Sequence, residues 1–202
     1  MKKIIFFLVS LAIIAGLYST DVNVAAGLTI PRMNNEDGTM GFNFSASLDK
    51  NMRDAIIIEP GVRIRQMRQY DKTELSSSAK TEITCSMYYL DLFARAKFDL
   101  MKDAKSEMKL LPFVGLGMGI YMSGETVVKS TNSGSTNEQT FDLDDEVSAI
   151  VWGLSLGMEL PINSKYAIIV EYNKALNSLL KDYTSRSSTL MLNVSYLFQF
   201  RS

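Results

Sequence analysis

The stretch LMLNVSYLFQF, residues 190–200, decides the fold. Every second side chain is apolar: Leu190, Leu192, Val194, Tyr196, Phe198 and Phe200. Between them stand Met191, Asn193, Ser195, Leu197 and Gln199, a mostly polar row. Period 2 over this length marks a β-strand with one dry face and one wet face. In a soluble protein the dry face points into a core. In a bacterial outer membrane it points outward, into lipid.

Working outward from this strand, the same division recurs in eight segments, residues 22–31, 39–49, 55–70, 83–99, 110–123, 147–160, 165–174 and 188–200. Helical periodicity is confined to a weak amphipathic stretch at 175–181, read as part of a loop. The connections at 50–54 and 161–165 are short, and 100–109 is intermediate and polar. Those at 31–39, 71–82, 124–146 and 175–187 are longer, and the longest contains VVKSTNSGSTNEQT, which carries no strand or helix signal. Long and short connections therefore alternate. An up-and-down barrel places all long loops at one end, as outer-membrane barrels do with their extracellular loops.

Volume decides the direction of the dry face. The even-numbered row is apolar in every segment, for example Phe42 and Phe44, Ile56 and Ile58, Val114 and Leu116, and Trp152, Leu154 and Leu156. The odd row carries Asn23, Asn43, Ser45, Ser47, Asp49, the glycines 115, 117 and 119, and most of the strand charges. An eight-stranded barrel has an interior only just wide enough for its inward side chains. The bulky even row overfills it, so the polar row points in and the apolar row faces lipid. The expected fold is all-β, an eight-stranded antiparallel up-and-down transmembrane β-barrel with a side-chain-filled polar lumen. Inward charges need partners, because an isolated buried charge costs several kcal/mol. Glu59, Arg63, Arg65, Asp91, Arg95, Lys97 and Asp99 fall on adjacent strands, and Glu159 and Glu171 are expected to face each other. Together they predict a structural charge lattice rather than a wide channel.

Aromatic residues cluster toward the ends of the outward rows. Phe98, Tyr166, Phe198 and Phe200 lie at the short-turn end, and Tyr70, Tyr88, Trp152 and Tyr172 nearer the long-loop end. This predicts two girdles at the bilayer interfaces. Residues 1–19, with Lys2 and Lys3 ahead of a short apolar run, have the pattern of a secretory signal peptide, leaving 20–202 as the barrel domain. An uncleaved N-terminal anchor is the alternative. Cys85 is the sole cysteine and histidine is absent, which removes an intrachain disulfide, the commonest general base and the commonest metal ligand. A formal net charge of -1 gives no reason to expect nucleic acid.

Several stretches together, in order, carry a family resemblance: AAGLTI, IIIEPGVRIRQM, MYYLDLFARAKFDL, LLPFVGLGMGIYMSG, VWGLSLGMELPI, YAIIVEYNKALNSL and LNVSYLFQF. The chain resembles the small outer-membrane β-barrel proteins of Gram-negative bacteria labelled PorT-like or "porin family". The resemblance implies a membrane-embedded barrel with no catalytic residues. Two positions depart from the pattern: Phe93 stands where the family has proline, and Arg201 and Ser202 follow the last aromatic residue.

Glu159 with Glu171, or Glu59 with Asp91, have the residue types of a glycosidase pair, but basic neighbours favour structural pairing. Asp142, Asp144, Asp145 and Glu146 form an acidic cluster without EF-hand spacing, and are read as a solvated loop. The GLGMG run, residues 115–119, lacks the spacing and the following helix of a phosphate loop, so relief of crowding is the better account. No catalytic, cofactor or metal site is therefore expected. The favoured function is a non-enzymatic integral outer-membrane barrel whose long loops serve surface interaction or envelope structure. The alternatives are a secreted soluble lipid-binding barrel, a barrel component of a secretion or transport complex, and a membrane-embedded lipid enzyme. Expected partners are outer-membrane lipid, the barrel-assembly machinery, and a protein or host ligand at loops 71–82, 124–146 and 175–187.

Overall fold

The computed structural model describes residues 21–33, 36–53, 55–76, 79–101, 109–132, 135–181 and 187–199. The expected signal segment and Phe200 lie outside them. Ten strands are formed: β1 (Asp21–Met33), β2 (Glu36–Asp37), β3 (Gly41–Arg53), β4 (Ile56–Ser76), β5 (Ala79–Phe98), β6 (Leu111–Asn132), β7 (Ser135–Asp142), β8 (Ile150–Pro161), β9 (Tyr166–Ala175) and β10 (Ser187–Gln199). Eight of them close a ring in the order β1, β3, β4, β5, β6, β8, β9, β10, all neighbours antiparallel. Pairing of β10 with β1, from Asp21 opposite Gln199 to Met33 opposite Ser187, completes the circle. β2 pairs beside β1, and β7 pairs only β6.

Within the spanning part the ladders preserve parity around the whole ring; beyond the irregularity at Tyr88/Tyr89 the β5–β6 ladder changes phase, with Tyr88 opposite Ser123. Val22 pairs Leu48, Ala46 pairs Val62, Ile64 pairs Leu90, Leu92 pairs Met118, Leu116 pairs Leu154, Leu156 pairs Tyr172 and Val170 pairs Leu192. Even residues therefore lie beside even ones, and one face of the closed sheet carries them all. A one-residue slip at any seam would send an apolar row inward. The even row is exposed, with Trp152 at 53% and Leu156 at 62%, whereas Lys97 and Met191 on the odd row are at 0%. Gly157 shows how tight the inner face is. A Cβ there would lie 2.3 Å from Phe113 Cζ and 2.4 Å from the Val170 carbonyl oxygen, whereas one at Gly117 would meet nothing closer than 3.6 Å.

Three strands run far past the bilayer. A spanning β-strand needs about 9–11 residues, but β4 has 21, β5 has 20 and β6 has 22. Two expected loops are thus mostly strand. The 71–82 connection is the tip of the β4–β5 hairpin, paired outward to Ser76 opposite Ala79. The 124–146 connection, expected to lack regular structure, forms the outer part of β6 and all of β7, paired from Glu125–Asp142 to Asn132–Ser135. Both faces of β7 are solvated, so its sequence has no reason to alternate. Ladder hydrogen bonds and cross-strand pairs hold it instead: Lys129 Nζ lies 3.0 Å from Glu138, and the Thr131 and Thr136 hydroxyls are 3.2 Å apart.

Leu154→Arg should cost about 2–4 kcal/mol if Leu154 sits near the bilayer midplane. Reversible denaturant unfolding in lipid vesicles measures this, and parent-like stability would refute the outward assignment. Gly157→Ala should destabilise by about 1–3 kcal/mol through overpacking. Gly117→Ala should be neutral or better in the same assay.

Candidate functional site

The inward rows of β3, β4, β5, β8 and β9 bring nine charges into one column. At its lower end Lys97 Nζ is 3.0 Å from Asp49, 3.3 Å from Glu59 and 2.7 Å from Glu159. Glu59 also accepts from Arg95 Nη1 at 3.1 Å and from the Ser47 hydroxyl. Glu171 is shared by Arg95 and Arg63, the latter at 2.8 Å. Above them Arg65 grips Asp91 with two parallel bonds, Nε at 2.9 Å and Nη2 at 3.1 Å, and reaches the Thr189 hydroxyl at 3.2 Å. Strand pairing dictates only part of this: Glu59 is opposite Arg95, whereas Asp91 is opposite Arg63 but is held by Arg65, and Arg63 reaches across the lumen to Glu171.

Aromatic rings sit between the cations. Phe93 carries the Arg63 guanidinium at 4.8 Å and that of Arg95 at 4.4 Å from its centroid. Arg95 is also 4.8 Å from the Phe113 centroid, and Arg65 lies 5.4 Å from that of Tyr89. Stacking covers guanidinium faces that hydrogen bonds cannot reach. Arg63 and Arg95 each leave Nε without a hydrogen-bond partner among the described residues, yet both are packed on rings.

The two ends of the lumen differ. At the long-loop end an apolar plug closes the mouth, made of Met67, Met87, Tyr89, Leu143, Val147, Val151 and Leu179. Two loops contribute Leu143, Val147 and Leu179 to it and latch together. Ser148 N donates to the Leu179 carbonyl at 2.7 Å, and Lys181 N donates to that of Glu146 at 2.9 Å. Asn177 pins the second loop to β8, accepting from Trp152 N at 2.7 Å and donating to the Ile150 carbonyl at 2.8 Å. Cys85 packs against this plug, and burial pushes its thiol above the usual range. At the short-turn end the lumen widens into a vestibule of about 570 Å³, lined by Asp21, Asp49, Asp99, Glu159, Lys109 and Asn163 among others.

The structure brings together Glu59, Arg63, Arg65, Asp91, Arg95, Lys97, Glu159 and Glu171 in the column. Asp99 stands apart: it lies on the vestibule wall, 3.7 Å from Lys109. Glu159 and Glu171 do not face each other. Gly157 is opposite Glu171 and Ile169 is opposite Glu159, so the two carboxylates serve different cations. Of the aromatic residues, Tyr70, Phe98, Trp152, Tyr166, Tyr172 and Phe198 are exposed on the outer face, and the half-buried Tyr88 accepts from Gln66 at 2.9 Å.

Sequence reasoning missed Asp49 as a lattice member, although its odd position on β3 was available. It also missed the inward bulk of Phe93, Phe113, Tyr89, Met67 and Met191, which sit on the odd row and fill the lumen around the charges. Every carboxylate of the column is ion-paired with an arginine or lysine on another strand.

With this architecture in place, comparison with known proteins is direct. Residues 5–198 match the family model of the outer membrane protein beta-barrel domain. The chain belongs to that family and is an integral β-barrel protein of the bacterial outer membrane. No curated protein sequence matches it significantly. Among solved structures it is similar to Ail, the attachment invasion locus protein of Yersinia pestis, at 14% identity and a TM-score of 0.48 over 89% of this chain and 99% of that one. It is likewise similar to Neisserial surface protein A, at 17% identity and a TM-score of 0.47 over 88% and 96% of the two chains. For OprG from Pseudomonas aeruginosa the values are 12%, 0.37, and 90% and 97%. Membership of an integral outer-membrane family and the continuous outward apolar row set aside a secreted soluble barrel.

Lys97→Met leaves Asp49, Glu59 and Glu159 crowded without their shared cation. It should cost about 3–5 kcal/mol, read as a lowered denaturant midpoint in vesicles. Lys97→Met combined with Glu159→Gln should recover part of that loss, because one carboxylate fewer is left uncompensated.

Proposed function

We propose that this protein is a non-enzymatic, non-conducting barrel whose work is done by the structure it holds above the membrane. The observation that carries this reading is the sheet formed by the outer parts of β4, β5, β6 and β7. It prolongs the barrel wall well past the length a bilayer requires, and all eight residues of β7 are exposed. The charge column and the apolar plug oppose a continuous aqueous path. The aromatic residues on the outer face serve as interfacial anchors, and the ionic lattice keeps the wall rigid enough to project the hairpins. Surface interaction with a macromolecular partner follows from that projection.

Shortening the β6–β7 hairpin by removing residues 127–140 separates this reading from a purely structural role in the envelope. The shortened protein should still shift on gels between heated and unheated samples, showing a folded barrel. It should fail to restore the surface-binding or adhesion phenotype of a deletion strain. Full restoration by the shortened barrel would defeat the surface-interaction reading. In planar bilayers the parent protein should show no stable conductance, and a sustained open level would overturn the sealed-lumen assignment.

A further inference from the structure

Above the membrane the sheet of β4, β5, β6 and β7 ends in two open edges. β7 pairs only β6. Beyond the bridge between Thr39 and Arg68, β4 has no ladder partner on its β3 side among the described residues. An open edge is a template for another strand. One row of side chains runs straight across this sheet: Lys72 is opposite Glu82, Glu82 is opposite Lys129, and Lys129 is opposite Glu138. Its signs alternate, so it ends on a cation at the β4 edge and on an anion at the β7 edge. Both end residues are exposed. Within the chain Lys72 Nζ lies 2.5 Å from Glu74, and Glu138 lies 3.0 Å from Lys129, surface pairs that are weakly held.

The backbone agrees with the charges. Successive residues of a strand turn their N–H and C=O groups to opposite sides. The Arg68 carbonyl accepts from Thr39 N, away from β5, so Tyr70, Lys72 and Glu74 address the open edge. Leu143 N donates to the Gly124 carbonyl at 3.2 Å, so the odd residues of β7 address β6. Thr136, Glu138 and Thr140 therefore address the other open edge. β4 runs away from the membrane and β7 runs back toward it. Between two upright copies, β7 of one is antiparallel to β4 of the next, whereas β7 beside β7 is parallel. With Glu138 set opposite Lys72 of the next copy, Thr140 meets Tyr70 and Thr136 meets Glu74, each with backbone groups turned toward the other. We propose that the protein associates head to tail with further copies of itself through this β7-to-β4 pairing, the alternating charge row running on from copy to copy. The proposal rests on the role of this sheet as an interaction surface and names its partner as a second copy. Because the two edges differ, each added copy leaves one open, so chains or rings form rather than closed pairs.

In this register Thr73 stands opposite Asn137 of the neighbour, a non-hydrogen-bonded pair with Cα atoms about 4.5 Å apart, within reach of a disulfide. Inside one chain the two are three strands apart, about 14 Å, which no disulfide spans. The triple variant Cys85→Ser, Thr73→Cys, Asn137→Cys is expressed in the outer membrane, oxidised on intact cells and run on a non-reducing gel. A ladder of dimers, trimers and larger species is expected, and reductant should collapse it. Either new cysteine alone should give no species beyond the dimer. Replacing Asn137→Cys by Phe141→Cys, four residues along β7, should cut the ladder at least tenfold. Thr140→Pro removes an N–H aimed at the partner and none that β6 uses, as an edge strand tolerates. It should abolish the ladder while the heat shift of the folded barrel persists. A folded triple variant without a ladder overturns the proposal. So does a ladder that survives Thr140→Pro or forms equally with Phe141→Cys. If the ladder is absent while loss of residues 127–140 still abolishes surface binding, self-association alone falls, and the sheet serves a different partner.

Discussion

In hydrocarbon no backbone N–H or C=O can be left without a partner. The seam between β10 and β1 is what meets that constraint here. Without it the sheet would present two open edges to lipid; with it every spanning strand has neighbours on both sides. Closure has a second consequence. Because each seam keeps even beside even across the bilayer, the circle sorts the spanning residues into an inner and an outer set, and neither can be changed locally. The lattice and the lipid-facing row inherit their positions from that sorting.

The lumen solves a packing problem that closure creates. Its residues must be small enough to fit, yet they must fill the space and satisfy one another's charges. Glycines 115, 117, 119, 153 and 157 thin one side of the wall, and Phe93, Phe113, Tyr89 and the four inward cations fill the space. Each carboxylate in the column is matched to a cation on another strand, so the side chains brace strands distant in sequence, as Arg63 does with Glu171. Phe93 carries two guanidinium groups on one ring.

Outside the bilayer the constraint relaxes, and so does the code. The outer halves of β4, β5, β6 and β7 have water on both faces, so no alternation marks them. The run VVKSTNSGSTNEQT resembles a loop because its composition is that of a turn with polar flanks. It is a hairpin because β5 already holds β6 in register and β7 only has to follow. The acidic residues after β7 and the weakly amphipathic 175–181 segment likewise gain meaning only as two loops that meet over the mouth, burying Val147 and Leu179.

The sequence by itself determined the strand count of the spanning ring, the face turned to lipid and most members of the charge column. Period 2 and side-chain volume are local properties, and both can be read from residues in order. Tertiary structure decided which charges meet. Asp49 joined Lys97, Asp99 went to the vestibule wall, and Glu159 and Glu171 parted to different cations. Those outcomes depend on strand register and on reach across the lumen, which link residues on different strands, as far apart in sequence as Arg63 and Glu171, and leave no trace in any single strand.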